Sequence, residues 1–573
     1  MPQVTIDGRT YDFEPGQKLL QFCLDHGVEV PHFCYHPALS VPANCRQCLV
    51  KTGMPVLDRE TRQPVTDADG VPQIAYAPKL TASCAADLAD GMVVHTQFDA
   101  ADVAAAQADN LELMLINHPL DCPICDQAGQ CPLQIQAYKH GPEGSRFEFQ
   151  KVHKPKRVQL GPNVVLDAER CINCTRCTRF TDEISGSHQL TIINRGDRNH
   201  PMTAPGQTFD DLYSMCTTDI CPVGALTEDY FRFKARVWEM SKTPTVSDFG
   251  GKGINVDVWV RDNQVLRITP RANADVNQYW MPDAARLVFA RYNEGRASGP
   301  TVGGAGASWD DAIAEAARLL ADAGADTLFL GSPWATVEDN AVLAELAAAV
   351  GAAAPRYVAE RREGAGDGWL ISDDPAPNTA GVERLGFEAV DAATFAAQAA
   401  AAPLVWALQA DPVAAGLVDA IPGAVVVMPT HTDHGLLATA AVSLPTTVSV
   451  ESLGTYVSED GRAQLLRPAK AIRSANRTLM MAMGVGQSRN DRQGTPFDRW
   501  HADDRRVDAR PAWDVLPLVG RALGHEIGAR SPAAVMERLA GANAAFAGAT
   551  HAAMGTQGVA LQDAAPAGDA IEA

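Results

Sequence analysis

The chain has 573 residues, 46% of them hydrophobic, with 48 Lys+Arg against 69 Asp+Glu and a formal net charge of −21. That balance disfavours general attraction to nucleic acid or to an anionic membrane surface. The apolar content excludes disorder for the bulk of the chain, and at roughly 150 residues per domain about four domains are expected. The most apolar stretch, Ala399 to Leu408, is broken by Pro403 and closed by Gln409, Asp411 and Pro412, so it cannot span a bilayer. Met1 to Gly8 lacks the basic-then-apolar pattern of a secretion signal, and an odd number of cysteines, 13, argues against a simple disulfide framework. The chain is read as cytosolic. None of its cysteines lies beyond Cys221.

In chain order, Val4–Asp7 and Thr10–Phe13 alternate apolar and polar around Asp7-Gly8, which predicts a hairpin. Leu19, Leu20, Cys23 and Leu24 fall at helical spacing, and Gly27 stands at the C-cap position. A hairpin, a helix and then a cysteine loop predict a β-grasp domain over 1–98, with Asp58–Pro78 a surface excursion rich in Asp, Pro and Gly. Residues 99–145 open on a helix-favouring run, Ala100–Leu115, and pass into a Cys/Pro/Gly segment that apolar side chains alone cannot organise. A further cysteine-bearing segment, 146–236, opens on Arg146, Lys151, Lys154, Lys156 and Arg157, either a solvated face or a subunit-docking surface. After 237 come β-rich runs, Ile254–Val260 and Gln264–Ile268, then a Gly-rich linker, Gly299–Gly306. Ala-rich helical segments then alternate with the strand-like runs Thr327–Leu330, Leu404–Ala407 and Ala424–Val427, the pattern of a parallel α/β sheet. From 541 the Ala/Gly-rich composition predicts a flexible tail.

Three constellations carry chemistry. Cys34, Cys45, Cys48 and Cys84 offer four thiolates, which suit a [2Fe–2S] cluster or a tetrahedral zinc; the preceding β-grasp pattern favours iron–sulfur. His32 and His36 flank Cys34 as loop groups, and Cys23 on the helix face reads as a buried hydrophobe. His118, Cys122, Cys125 and Cys131 form H-x3-C-x2-C-x5-C, a Cys3His zinc pattern in isolation but, between two other cysteine clusters, a [4Fe–4S] site with one imidazole. Cys171, Cys174 and Cys177, with Cys221-Pro222 far downstream, form the [4Fe–4S] run whose last ligand comes from a distance; Cys216 competes for that position, and Pro222 favours Cys221. Asp121, Asp126, Arg170 and Arg176 sit beside ligands and either tune potentials or, on the favoured reading, are solvated loop charges. Gly484-x-Gly486, followed by Arg489, and Gly364–Gly368 do not fit a dinucleotide fingerprint. The ligands alone imply outer-sphere one-electron transfer, tuned by ligand type, hydrogen bonds to sulfur and exclusion of water, with no catalytic nucleophile or base.

At these residues the chain resembles the family of the large iron–sulfur subunit of NADH-quinone oxidoreductase, respiratory complex I. The resemblance rests on Cys34/Cys45/Cys48/Cys84, on the run from His118 to Gln134, on Cys171/Cys174/Cys177 with Cys221 to Leu226, and on Pro270–Asn277 and Trp280; weaker echoes lie at Gly454–Gln464 and Pro511–Trp513. It implies a multidomain α+β protein: a β-grasp ferredoxin domain, [4Fe–4S] segments, a degenerate 4Fe–4S domain over 237–298, and a molybdopterin-oxidoreductase-like α/β domain over 299–540. It implies one [2Fe–2S] and two [4Fe–4S] clusters, and a subunit without its own substrate site that relays electrons from NADH toward quinone. Its partners would be the flavoprotein NADH-binding subunit, a 2Fe–2S subunit, and ferredoxin-like and quinone-site subunits, at the cytoplasmic face of the inner (plasma) membrane and bound to it only through the complex. Ser247–Gly251 and Met281–Asp283 contain no cysteine, so a fourth cluster is expected to be absent, and no molybdenum is expected. The competing readings are a formate-dehydrogenase-like molybdoenzyme, the diaphorase subunit of an NAD-reducing hydrogenase, and a zinc-stapled scaffold.

Overall fold

The computed structural model describes residues 1–473 and 505–562, which fall into two compact units, 1–238 and the part of the chain from 239 onward. The motif at Gly484, Gly486 and Arg489 lies outside the described residues.

The first unit opens with the hairpin, β1 (Gln3–Ile6) and β2 (Arg9–Asp12), turned by Asp7 and Gly8 at φ 46° and 77°, the paired positive φ of a type I′ turn. Helix α1 (Leu19–Asp25) follows and ends at Gly27 with φ 70°. Strands β3 (Leu49–Pro55), β4 (Ile74–Tyr76), β5 (Thr81–Ala82) and β6 (Met92–His95) complete a sheet ordered β2-β1-β6-β3-β4, with β5 beside β3. Only β1 and β6 run parallel. Val4 and Ile6, Leu19, Leu20 and Cys23, Val50 and Val94 meet in its core. The excursion at 57–73 is largely exposed and held by two bridges, Leu57 to Pro64 and Thr66 to Pro72.

Helix α2 (Ala101–Leu115) leads to the His–Cys loop and α3 (Pro132–His140). Beyond it lie β7 (Val158–Gln159), β8 (Val164–Leu166), α4 (Arg176–Glu183), the hairpin β9 (Thr191–Ile193) and β10 (His200–Met202), α5 (Cys216–Ile220), and β11 (Leu226–Glu228), which pairs with β8. Their shared core is partly made of candidate ligand side chains: Cys131 and Cys177 pack with Phe33, Leu166, Phe209 and Leu226, and Cys45, Cys171 and Cys221 border it. Most of the basic stretch from 146 is spent inside the unit. Lys151 Nζ caps α2 by donating to the Leu115 and Ile116 carbonyls (2.7 and 2.8 Å), Lys154 donates to Asn199 O (3.0 Å), and Arg146 forks onto Glu112.

The second unit begins with an antiparallel sheet of strands 241–246, 255–261 and 264–270. An eight-stranded sheet follows, in which strands 327–331, 356–358, 388–390, 404–408, 424–428 and 442–443 are parallel. Leu404, Trp406 and Leu408 face one core with Phe329, Val426 and Met428, whereas Val405 and Ala407 face another with Val425 and Val427. That period-two split is what a parallel sheet covered on both faces requires. The Gly-rich segment at 299–306 is not a linker: 301–302 and 305–306 form a hairpin on Gly303 and Gly304 and join the sheet edge through 442–443. The tail expected from 541 is ordered through 562. Helix 532–542 buries Val535 and Met536, Phe546 and Met554 are buried behind it, and 559–560 pairs with strand 462–466, because small residues let these short pieces pack closely.

Candidate iron–sulfur centres

In the first set, the loop between α1 and β3 brings Cys34, Cys45 and Cys48 to Cys84, just after β5. The Cys34 and Cys45 thiols are hydrogen-bonded to one another, as are Cys48 and Cys84. Within each pair the mutual bond drives one thiol up (Cys34, Cys84) and the other down, Cys45 to about 5, with the amides of Gln47 and Phe33 also favouring its thiolate. Ionising all four would set the charges on Cys34, Cys45 and Cys48 against that on Cys84, a repulsion that a cation relieves. Ser83 fixes the second pair by donating from both N (3.0 Å) and Oγ (2.8 Å) to the Cys48 carbonyl. His32 Nδ1 bonds Val30 O at 2.9 Å, and His36 Nδ1 accepts from Ala38 N at 3.2 Å. Burial, followed by the nearby Arg176 and Arg179, holds His36 at about 4. Cys23 is fully buried, and its burial pushes the thiol up to about 12, as for a packed hydrophobe.

In the third set, Cys171, Cys174, Cys177 and Cys221 line one cavity, walled by Ile172, Ile192, Pro201, Val223 and Leu226. Cys216 is fully buried in α5 and is not among the lining residues. The loop curls because Asn173 and Thr175 take left-handed φ of 52° and 60°, a cost of about 1–3 kcal/mol each where strain serves a site. The turn aims Asn173 N at Cys171 Sγ (3.4 Å), and the amides of Val223, Leu226 and Ala225 favour the Cys221 thiolate. Burial outweighs these and raises all four thiols, Cys171 to about 12 and Cys174 to about 11. A thiol-lined, apolar cavity of this kind stabilises thiolate only around a metal.

In the second set, Cys122 opens a 3₁₀ turn (Cys122–Ile124) and Cys131 caps α3. Burial holds the His118 imidazole at about 4, hence neutral and able to donate a lone pair, and its Nδ1 is buried without a hydrogen-bond partner. A buried nitrogen without a partner, four residues before Cys122 in the chain, is what a metal ligand would leave. Arg236 secures the loop by donating to the Cys125 and Pro123 carbonyls (the latter at 2.5 Å), and Asp126 accepts from Phe233 N at 2.9 Å. Gly224 leaves the space for the Cys125 sulfur: a Cβ there would fall on Sγ.

The third set touches both others. Cys131 Sγ lies 3.7 Å from Pro222 O, next to Cys221, and the Arg179 guanidinium spans from Cys34 O (2.6 Å) to Cys174 O (3.4 Å). Chain order is therefore not contact order.

The charges beside the ligands are not solvated, contrary to expectation. Arg170 is 3% exposed and Asp126 is buried. Arg170 binds Asp121 through Nε (3.2 Å) and Nη2 (2.7 Å), with Asp167 at 3.4 Å and Lys156 linking Asp121, Asp167 and Glu169. Arg176 donates to Ile220 O at 3.1 Å and to Tyr35 O. The sequence named these residues without revealing their burial; it held no sign of Arg179 or Arg236, and Gly224 stood only within the Cys221-to-Leu226 run.

Four family descriptions match in succession: "2Fe-2S iron-sulfur cluster binding domain" over 2–99, "NADH-ubiquinone oxidoreductase-G iron-sulfur binding region" over 107–146, "NADH-quinone oxidoreductase subunit 3, ferredoxin-like domain" over 161–227, and "NADH-ubiquinone oxidoreductase NDSU1/NuoG-like, 4Fe-4S domain" over 240–290. The chain is a relative of the G-type subunit of NADH-quinone oxidoreductase. It is 37% identical to the G-type subunit of Rickettsia bellii over 55% of this chain and 43% of the relative. It is 36% identical to NADH-quinone oxidoreductase subunit 3 of Thermus thermophilus over 61% of this chain and 46% of the relative. The mitochondrial NADH-ubiquinone oxidoreductase 78 kDa subunit of Neurospora crassa is 37% identical over 55% of this chain and 40% of that protein. The matches thus span somewhat under half the length of these relatives. Iron–sulfur domains of both the 2Fe–2S and the 4Fe–4S kind are present in a mixed α/β chain. The fourth matched region, 240–290, contains no cysteine.

Proposed function

We propose that the chain is an iron–sulfur electron-transfer subunit of an NADH:quinone oxidoreductase, relaying single electrons from an NADH- and flavin-binding partner toward quinone. The observation that supports it most is the convergence of three ligand sets, with the third in contact with the other two. Cys34, Cys45, Cys48 and Cys84 would hold a [2Fe–2S] cluster; His118, Cys122, Cys125 and Cys131 a [4Fe–4S] cluster; and Cys171, Cys174, Cys177 and Cys221 a second [4Fe–4S] cluster. Such clusters supply reversible one-electron chemistry. The protein's part is to present thiolates and one neutral imidazole, to aim amides at sulfur, and to keep water out with the apolar walls around Val223 and Leu226.

We further propose that the second unit is a molybdopterin-oxidoreductase-like domain without molybdenum. Its strand order reverses between 327–331 and 404–408, the switch point where such sheets take ligands. The helix that follows, 337–349, opens on Glu338 and Asp339, 0% and 2% exposed. Glu338 is already committed to Thr455 N (2.7 Å) and His551 Nε2 (2.7 Å). Two buried carboxylates disfavour a phosphate-bearing cofactor at that helix end, and no cysteine is available to ligate molybdenum. No described helix is long and apolar enough to cross a membrane. Peripheral attachment at the cytoplasmic face, through flavoprotein, ferredoxin-like and quinone-site subunits, is the corresponding proposal for location and partners.

Anaerobic isolation with iron and sulfide determination, followed by EPR after dithionite, tests the assignment. The expected content is about ten irons per chain with signals of both cluster types. Three zincs without sulfide would overturn it.

A further inference from the structure

Helix α4 starts inside the third ligand set, with Cys177 in its first turn, and turns one face toward the first. Arg176, Arg179 and Glu183 stand at i, i+3 and i+7, a single helical stripe. Each reaches the Cys34–Ser40 loop. Arg176 Nη2 donates to Tyr35 O, and Arg179 donates to Cys34 O (2.6 Å) and Ser40 O. The Glu183 carboxylate accepts from Ser40 N (2.8 Å) and Ser40 Oγ. Nearly all of these contacts are to loop main chain, so the stripe recognises the path of the loop rather than its side chains. The same two arginines also hold their own site: Arg176 Nη1 donates to Ile220 O (3.1 Å), beside Cys221, while Arg179 reaches Cys174 O (3.4 Å) and Thr175 Oγ1 (3.2 Å). A guanidinium suits this task because its donors form a rigid fork that binds two carbonyls at once, which an ammonium on a flexible stem does not do.

We propose that Arg176 and Arg179 are positioning residues that lock the Cys34 loop to the Cys171–Cys177 loop at a fixed separation and set two positive charges between these ligand sets, favouring the reduced form of both. Each electron accepted by a cluster adds one negative charge, and a fixed cation nearby in a low-dielectric interior lowers the energy of that state. The exposed Glu183 carboxylate lies at the far end of the stripe, against Ser40. The proposal rests on the electron-transfer reading, and the test separates the two.

The experiment compares the full chain, with its clusters assembled anaerobically, to R179Q, R179K and R176Q, using iron and sulfide content and EPR-monitored redox titration. R179Q is expected to retain about ten irons, to move the midpoint potentials of the Cys34-set and Cys171-set signals both to more negative values, and to weaken the magnetic interaction between them. The His118-set potential should change less than either. R179K, which keeps the charge but not the fork, should recover the potentials more than the interaction. Should R179Q fail to fold, R176Q must give a shift of the same sign at both sites. Potentials unchanged at both sites, or a shift at the Cys171 set alone, would overturn the proposal. Absence of iron–sulfur signals from the unsubstituted chain would instead overturn the electron-transfer reading itself.

Discussion

Replacing Cys221 and Cys216 in turn separates a ligand from a packed thiol five residues away. Both are cysteines on or just after α5, yet only Cys221 lines the cavity with Cys171, Cys174 and Cys177. In C221A the third set keeps three thiolates, and its cavity has lost the residue whose sulfur faces the Val223, Leu226 and Ala225 amides. The expected iron content falls by one four-iron cluster, from about ten to about six per chain, and one EPR component disappears. C216A removes a single fully buried sulfur, a deletion of methylene size that costs about 1 kcal/mol in a packed core, and should keep about ten irons. Iron and sulfide analysis of anaerobically prepared variants, with EPR to identify the missing signal, reads the outcome directly. About ten irons in C221A together with about six in C216A would refute the assignment of the fourth ligand.

Three further outcomes follow from the packing. G224A puts a methyl group on the Cys125 sulfur, so the His118-set signal should be lost while the other two remain; a fully loaded G224A chain would show that the loop has room to spare. R170M leaves Asp121 and Asp167 facing each other with only Lys156 between them. Since breaking a buried pair costs about 3–5 kcal/mol and Lys156 compensates in part, the first unit should lose about 3 kcal/mol in urea unfolding, and a loss under about 1 kcal/mol would contradict the burial argument. In the second unit, burial pushes Asp339 up to about 6 from 3.8. The folded state therefore binds more protons than the unfolded between those values, and stability declines as pH rises through that window. D339N should flatten this part of the thermal-midpoint profile, and an unaltered profile would rule the group out.

The local signals were strong where one short segment decides the structure. Asp7-Gly8 specified a hairpin, Gly27 the end of α1, and Leu404 to Ala407 a strand of a parallel sheet. Cysteine spacing marked the candidate ligand sets for the same reason, since a C-x2-C pair can reach one metal without help from the rest of the fold. Tertiary placement was not legible. Arg170 looks like a loop charge until the fold buries it against Asp121 and Asp167, and nothing in the order of the ligand sets says that the third touches both others. Gly303-Gly304 is itself a hairpin signal that composition masked. The Ala/Gly-rich stretch after 541 reads as flexible because its apolar anchors, Phe546 and Met554, are too widely spaced to form a pattern.

The clasp around Cys122 to Cys131 is closed by Phe233 and Arg236, about a hundred residues downstream. During synthesis the His118 loop therefore leaves the ribosome long before its own latch does. If that loop holds a cluster, inserting it before residue 236 emerges would meet an open loop, whereas inserting it later would require these hydrogen bonds to open.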